Sequence, residues 1–342
     1  MTAPLTGDRT RYEPGTLGAA TLRGVRPSPS LIGFRLRRGL KRQAAPIILI
    51  TLFIAVIGAA YDVSGGVRPV AAAAFWAPMG LAVGLGFAII AEFSRNTVTS
   101  LSSFGKHRGY AILGAAPELQ QRTLRQLRPD QRSPQGCVTF QPASPFATAF
   151  RDLQGTLPNG VVSFIAALPD EGATTAALCT ALSAAQQDRR VIVLDCDLRR
   201  RALSRSLGAD VEDGLLEACA NPQRWRDYLC EEDETGLHFI PAARGFNPWR
   251  TLTGVPGFAA LLEAISAEYD LVVLDCPPAL SSAEGPALAN FARTCIVVTA
   301  WDRTPIGAVR NAMRSLRRQN LTTGVYVNRV PPTYRFGRLR PD

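Results

Sequence analysis

Two kinds of apolar pattern divide the chain. In the N-terminal third, residues 44–61 and 70–91 carry no charged side chain. Each run is long enough to cross a hydrocarbon core of about 30 Å, the first only just. The first run begins too far from the N-terminus to read as a cleaved signal peptide. From residue 161 onward the pattern changes to short apolar runs at 161–166, 191–195, 237–241, 271–275, 294–299 and 324–328. Between them the apolar residues recur at helical spacing over 174–187, 256–268, 287–293 and 305–319. Strands that are apolar on both faces and alternate with helices predict a doubly wound, mostly parallel α/β sheet.

The segments between and around these blocks complete the organisation. Residues 1–43 read as a basic, Pro/Gly-containing cytoplasmic tail and 44–92 as a two-helix transmembrane hairpin. Residues 93–143 read as a polar, basic juxtamembrane connector, with a short apolar stretch at 111–113 and a Gln/Arg-rich helical piece over 118–128. A helix is expected to open at Ser144 and Pro145, as N-cap and N1, with Phe146, Ala149, Phe150 and Leu153 on one face. The α/β domain is placed at 144–331 and a basic tail at 332–342.

Composition and charge agree with a membrane segment attached to a domain. The 342 residues are 46% hydrophobic and only 19% charged, with a formal net charge of +10. Arg37, Arg38, Lys41 and Arg42 precede the first run, and Arg95, Lys106 and Arg108 follow the second. The positive-inside rule therefore places both ends of the hairpin in the cytoplasm. The hairpin has a G-x-x-x-G spacing at Gly80 and Gly84 that suits close helix packing. The seven cysteines are odd in number and form no C-x-x-C pair, which points to buried thiols rather than disulfides or metal ligands. Two scattered histidines exclude a histidine metal centre.

The candidate chemistry lies at the carboxyl ends of the predicted strands, where open α/β sheets bind ligands. The 161–166 strand runs into ALPDEGAT, residues 167–174, which has the layout of a phosphate-binding loop leading into a helix N-terminus. Gly172 and Thr174 hold the positions of the motif's second Gly and its hydroxyl, with Thr175 next to it. Ala167 replaces the first Gly, and Ala173 replaces the Lys. No lysine occurs after Lys106. Two further strands end in hydrophobic-Asp-Cys, at Asp195 with Asp197 close behind, and at Asp275. A Mg²⁺ bound with a nucleotide takes a hydroxyl, carboxylates and phosphate oxygens, a role that Thr174, Asp195, Asp197 and Asp275 fit. A lone Asp after a strand is usually a turn or cap; two such strand ends beside a phosphate loop argue for a site.

These residues resemble the bacterial tyrosine kinases of polysaccharide export and their co-polymerase partners, within the wider group of partition and division-site ATPases. The resemblance rests on Pro169-Asp170-Glu171-Gly172-Ala173-Thr174, on Asp195-Cys196-Asp197-Leu198-Arg199 and on Asp275-Cys276-Pro277-Pro278. It extends to RGYAILGAAPEL and SPFATAFRDL upstream, and to VNRV in the last strand. It implies ATP and Mg as cofactors. It also implies catalytic roles for Asp195, Asp197 and Asp275, nucleotide contacts from Gly172, Ala173, Thr174, Thr175 and, at the adenine, Asn328, and metal contacts from Thr174, Asp195 and Asp275. The implied setting is the bacterial inner membrane, as a multi-pass protein working in exopolysaccharide biosynthesis and export. The implied partners are a co-polymerase, polymerase or glycosyltransferase and membrane lipid, with no nucleic acid and with homo-oligomerisation as the family's habit. The chain departs from the family in its missing Lys. It also departs at the oligomerisation motif, where Thr148, Arg151 and Gln154 keep one of three charges, in a tail whose only tyrosine is Tyr334, and in a loop between the spans too short for a periplasmic domain. The expected protein is therefore catalytically weak or inactive and acts by nucleotide binding or docking; the alternatives are an active ATPase or autokinase with a substitute arginine or a partner's cation, and a scaffold that binds no nucleotide.

Overall fold

The computed structural model describes residues 44–66, 69–93, 97–98, 111–245, 247, 250–316 and 321–332. The expected N-terminal tail, Arg95, Lys106, Arg108 and Tyr334 lie outside the described residues. The described chain falls into two compact units.

The N-terminal unit contains helices α1 (Ala44–Ser64) and α2 (Pro69–Phe93), both long and apolar enough to cross a membrane. Lipid-type helices cannot associate by the hydrophobic effect, so small residues that admit close backbone approach decide where they pack. A Cβ at Gly80 would lie 2.8 Å from the Thr51 carbonyl oxygen, and one at Gly84 3.1 Å from that of Ile47. The G-x-x-x-G spacing therefore forms the α1–α2 contact. Thr51 turns its hydroxyl back to the Ile47 carbonyl at 2.7 Å, so that hydroxyl is paired within its own helix.

The second unit is α/β. In chain order it comprises β1 (Ala111–Pro117), α3 (Gln121–Leu124), α4 (Pro134–Phe140), α5 (Pro145–Gly155), β2 (Gly160–Ala166), α6 (Ala173–Ala185) and β3 (Val191–Asp195). It continues with α7 (Ala202–Ser206), α8 (Leu215–Ala220), β4 (Cys230–Glu231), β5 (His238–Ile240), α9 (Phe258–Ser266), β6 (Leu271–Asp275), α10 (Glu284–Ala289), β7 (Thr294–Ala300), α11 (Ile306–Ser315) and β8 (Thr322–Val330). Eight strands form one sheet in the order β1-β8-β7-β2-β6-β3-β5-β4. Every described pairing is parallel except β4 with β5. The doubly wound sheet read from the apolar runs is the observed fold, and all six expected strands are present with ends shifted by at most two residues.

The connector differs from the expectation. Residues 111–117 are the edge strand β1, paired with β8 from Ala111↔Gly324 to Pro117↔Val330, so the α/β unit takes in chain well before Ser144. The strand's small residues and two register shifts hide it from a pattern search. The Gln/Arg-rich piece forms only one helical turn, α3, because it offers few apolar residues to bury. α4 was not expected; Ser133 caps it by accepting the Gly136 amide at 2.9 Å. α5 begins as expected, with the Ser144 hydroxyl accepting the Ala147 amide at 3.1 Å. Phe146, Phe150 and Leu153 of α5 are buried. The Phe150 ring lies 5.0 Å from Phe146 and 5.8 Å from Tyr326, and the Tyr326 hydroxyl donates to the Ala149 carbonyl at 3.2 Å. α5 is thereby fastened to β8. All seven cysteines are free thiols, and all but the half-buried Cys230 are buried.

Phe150→Ala is expected to lower unfolding stability by about 3–5 kcal/mol, and Phe150→Leu by much less, because the first opens a cavity between α5 and β8. Denaturant titration of the full chain checks this; equal losses for the two variants would remove the packing argument.

Candidate functional site

β2 delivers the chain to the loop at the sheet's carboxyl edge. Phe164 faces Asp275 across the β2–β6 register, and the strand's hydrogen bonding continues past its end, from the amides of Ala279 to the Ala166 carbonyl and Leu280 to the Ala167 carbonyl. The loop is then closed by its own side chains. Buried Glu171 accepts the Leu168 amide at 2.9 Å. Asp170 and Gly172 both adopt left-handed backbone, with φ of 63° and 95°. Gly172 is required: a Cβ there would lie 2.1 Å from Asn328 Nδ2. The first donation inside α6 runs from the Ala176 amide to the Gly172 carbonyl. The amides of Ala173, Thr174 and Thr175 are therefore free of intrahelical partners at a helix N-terminus, the arrangement that favours an anion.

Asn328 lies near the end of β8. Its Nδ2 donates to the Glu171 carbonyl at 3.1 Å, and its Oδ1 accepts the Arg329 amide at 2.8 Å. In this structure its amide braces the phosphate-type loop; the expected adenine contact would require these bonds to be exchanged.

Beside the loop lie the acidic strand ends. β3 and β6 are neighbours in register, Asp195 opposite Asp275. Asp195 is fully buried, and its Oδ2 accepts both the amide and the hydroxyl of Ser204, at 2.9 and 2.6 Å. Burial nevertheless pushes its carboxyl up to about 6, against the lowering effect of Ser204, with the nearby Asp197 adding to the rise. Asp197 accepts the Arg200 amide at 3.0 Å, and burial raises it too. Asp275 is 1% exposed, and its Oδ2 has no hydrogen-bond partner. Burial first, then the Asp195 charge, hold its carboxyl well above the usual range, while the neighbouring Thr174 hydroxyl partly offsets this. Buried polar atoms are nearly always paired, so an orphan oxygen in a cluster of acids marks a place for a cation or a donor. Among the described residues no group of three or more His, Cys, Asp or Glu side chains can hold a metal by itself. Mg²⁺ keeps several waters and takes substrate phosphates, so a hydroxyl with one or two carboxylates remains compatible with it.

The structure thus brings Gly172, Ala173, Thr174, Asp195, Asp197 and Asp275 to one edge of the sheet, with Thr175 on the same helix end. Sequence reasoning missed Ser204, which has no motif to announce it, and the ion pair between Arg200 Nη1 and Asp170 Oδ1 at 3.4 Å. Of the three oligomerisation-motif positions, Arg151 turns to Thr148 Oγ1 and the Pro142 carbonyl, and buried Gln154 accepts from Arg189.

Comparison with known proteins gives consistent matches. A family described as AAA domain matches residues 170–318. The putative tyrosine-protein kinase EpsB of Ralstonia nicotianae is 28% identical over 273 residues, covering 75% of this chain and 36% of that protein. The succinoglycan biosynthesis transport protein ExoP of Rhizobium meliloti is 26% identical over 270 residues, covering 70% and 34%. The chain therefore spans about a third of the length of these curated relatives. In fold, it is similar to the kinase domain of the Escherichia coli tyrosine kinase ETK, with a TM-score of 0.59 and 22% identity over 68% of this chain and 95% of that one. The BceF tyrosine kinase domain gives a TM-score of 0.57 with 20% identity, over 69% and 100%.

The raised carboxyls fix the sign of a pH effect. The folded chain holds protons that the unfolded chain releases near pH 4, so the stability these groups contribute is complete below about pH 4 and is lost as pH rises. For Asp195 the loss ends as pH passes about 6; Asp275 extends it further upward. In chelator, Asp275→Asn is expected to raise stability at pH 7.5 by about 1–3 kcal/mol by removing a buried, incompletely paired charge. Thermal unfolding at pH 4.5 and 7.5 checks it: a gain confined to the higher pH is expected, and a loss at both would refute the assignment.

Proposed function

We propose that this chain, which belongs to the bacterial tyrosine kinase and polysaccharide co-polymerase family of exopolysaccharide synthesis and export, is a membrane-anchored, kinase-like nucleotide-binding protein with weak or absent phosphoryl transfer. The observation that carries the reading is the pairing of a helix-N-terminal loop with the orphan Oδ2 of buried Asp275. Ala173 stands where the motif's cation would be.

The chain's own groups divide the work of binding. The amides of Ala173, Thr174 and Thr175 meet the phosphates, and Asn328 and Glu171 hold the loop in the conformation that presents them. Thr174, Asp195 and Asp275 would hold a Mg²⁺, which when bound neutralises phosphate charge. Such an ion would give Asp275 Oδ2 a partner and lower the cost of burying these acids. With Ala173 the loop contributes no cation to the developing charge of transfer, a deficit of several kcal/mol in typical phosphoryl-transfer sites.

The membrane setting and partners follow the same reading. α1 and α2 would span the bacterial inner membrane, with Arg37, Arg38, Lys41 and Arg42 on one side and Arg95, Lys106 and Arg108 after the second span holding both ends in the cytoplasm. The domain would then act by docking to a co-polymerase, polymerase or glycosyltransferase. The second reading, an active ATPase or autokinase with a substitute cation, is favoured by one contact, that of Arg200 with the loop's Asp170.

Full-length protein in detergent micelles is expected to bind a fluorescent ATP analogue weakly and only with Mg²⁺, and to show little phosphate transfer from labelled ATP. Ala173→Lys is expected to raise turnover strongly. Robust autophosphorylation of the unmodified chain, abolished by Asp275→Ala, would overturn the weak-transfer reading. Absence of binding in both the unmodified chain and Ala173→Lys would overturn the nucleotide site itself.

A further inference from the structure

We infer that Arg200 supplies the phosphate-binding charge that the loop lacks, and that Asp170 holds its guanidinium in place until a polyphosphate arrives. The inference rests on the nucleotide reading of the site and adds to it the residue that makes binding there possible.

The site has an electrostatic problem. Asp195, Asp197 and Asp275 are buried at adjoining strand ends, with Asp195 opposite Asp275 in the β3–β6 register. The orphan Oδ2 of Asp275 independently marks a place there for a cation or a hydrogen-bond donor. A polyphosphate brings more negative charge to the same edge. One divalent cation offsets only part of this, and the loop's own cation position holds Ala173. No lysine follows Lys106, so within the α/β unit the chain's own candidate cations are arginines.

Three arginines follow the second strand end, and their geometry separates them. Arg201 faces away: its Nε donates to the Ala242 carbonyl at 3.0 Å, and its guanidinium lies 3.5 Å from Asp210. Arg199 is exposed, and its charge acts on Asp197 and Glu284. Arg200 is joined to both halves of the site. Its amide caps Asp197 at 3.0 Å, which pins its backbone to the acidic strand end. Its guanidinium crosses to the phosphate-type loop and meets Asp170 at 3.4 Å.

That contact is suited to exchange. The Arg200 side chain is 39% exposed and that of Asp170 87%. An exposed pair of this kind is worth at most about 1 kcal/mol, so breaking it costs little. A phosphate offers the same guanidinium more charge and two oxygens in a matching fork geometry. Asp170 sits two residues before Gly172, in left-handed backbone, with its carboxylate exposed at the mouth of the loop. It therefore stands in for a phosphate: it keeps Arg200 aimed at the loop and gives it up when a better anion enters.

The test measures Mg-ATP affinity of the full-length protein in micelles, using a fluorescent ATP analogue. The variants are Arg200→Gln, Arg200→Lys, Asp170→Asn, Ala173→Lys and the Arg200→Gln/Ala173→Lys pair. Arg200→Gln is expected to weaken binding by about 10- to 100-fold, the loss of one charge-assisted hydrogen-bonding group. Arg200→Lys is expected to keep part of the affinity. Asp170→Asn is expected to tighten binding, and that gain is expected to shrink in the Arg200→Gln background. The double variant regains affinity, because a lysine at 173 restores the charge from the other side. Both side chains of the pair are substantially exposed, so the variants are expected to unfold at the temperature of the unmodified chain. Normal affinity in Arg200→Gln together with tightening in Ala173→Lys overturns the inference and leaves the nucleotide site standing. No binding in the unmodified chain or in Ala173→Lys overturns both.

Discussion

The structure turns on one constraint, the register of β3 against β6. It sets Asp195 opposite Asp275 at the carboxyl end of a sheet whose interior excludes water. Burial strips both carboxyls of hydration and raises them; the Asp195 charge adds to the rise of Asp275, and that of Asp197 to the rise of Asp195. Ser204 relieves one of them with two donors, and its own hydroxyl is fixed by the Ala242 amide at 2.9 Å. Nothing equivalent relieves Asp275 Oδ2. The sheet thus keeps a buried charge that packing alone would not tolerate, and such a charge is usually kept for a ligand rather than for stability.

A second line of force reaches the phosphate-type loop from the opposite half of the sheet. β8 pairs with β7 and β1, receives α5 through Tyr326 and carries Asn328 near its end, whose amide holds the Glu171 carbonyl. The loop conformation therefore depends on a strand that is itself ordered by β1 and α5, both upstream of the loop in sequence. The close approach of Asn328 to Gly172 leaves no room for a side chain at that position. Loop, strand and upstream chain thus form one packed assembly.

Much of this was legible in the sequence for a simple reason. Strands buried on both faces must be apolar along their whole length, so β2, β3, β6, β7 and β8 announced themselves as unbroken runs. The Ser144-Pro145 start of α5 was equally local, a cap and a ring fitting the first turn. β1 was hidden because its residues are small and half-buried and its partner lies some 200 positions away. α4 was hidden because seven residues with one Pro carry too little periodicity to be seen.

At the site the division is similar. The chain itself determined that a loop with Gly172 and Thr174, two acidic strand ends and no lysine exist, because residue identity and spacing are local properties. Only the folded chain decided what those residues meet. The β3–β6 register brought Asp195 and Asp275 together, β8 carried Asn328 to the Glu171 carbonyl rather than leaving it free, and the turn after β3 aimed Arg200 at Asp170. Each of these contacts joins positions at least thirty apart, and such pairings are fixed by sheet order and strand register, which no short stretch of sequence contains.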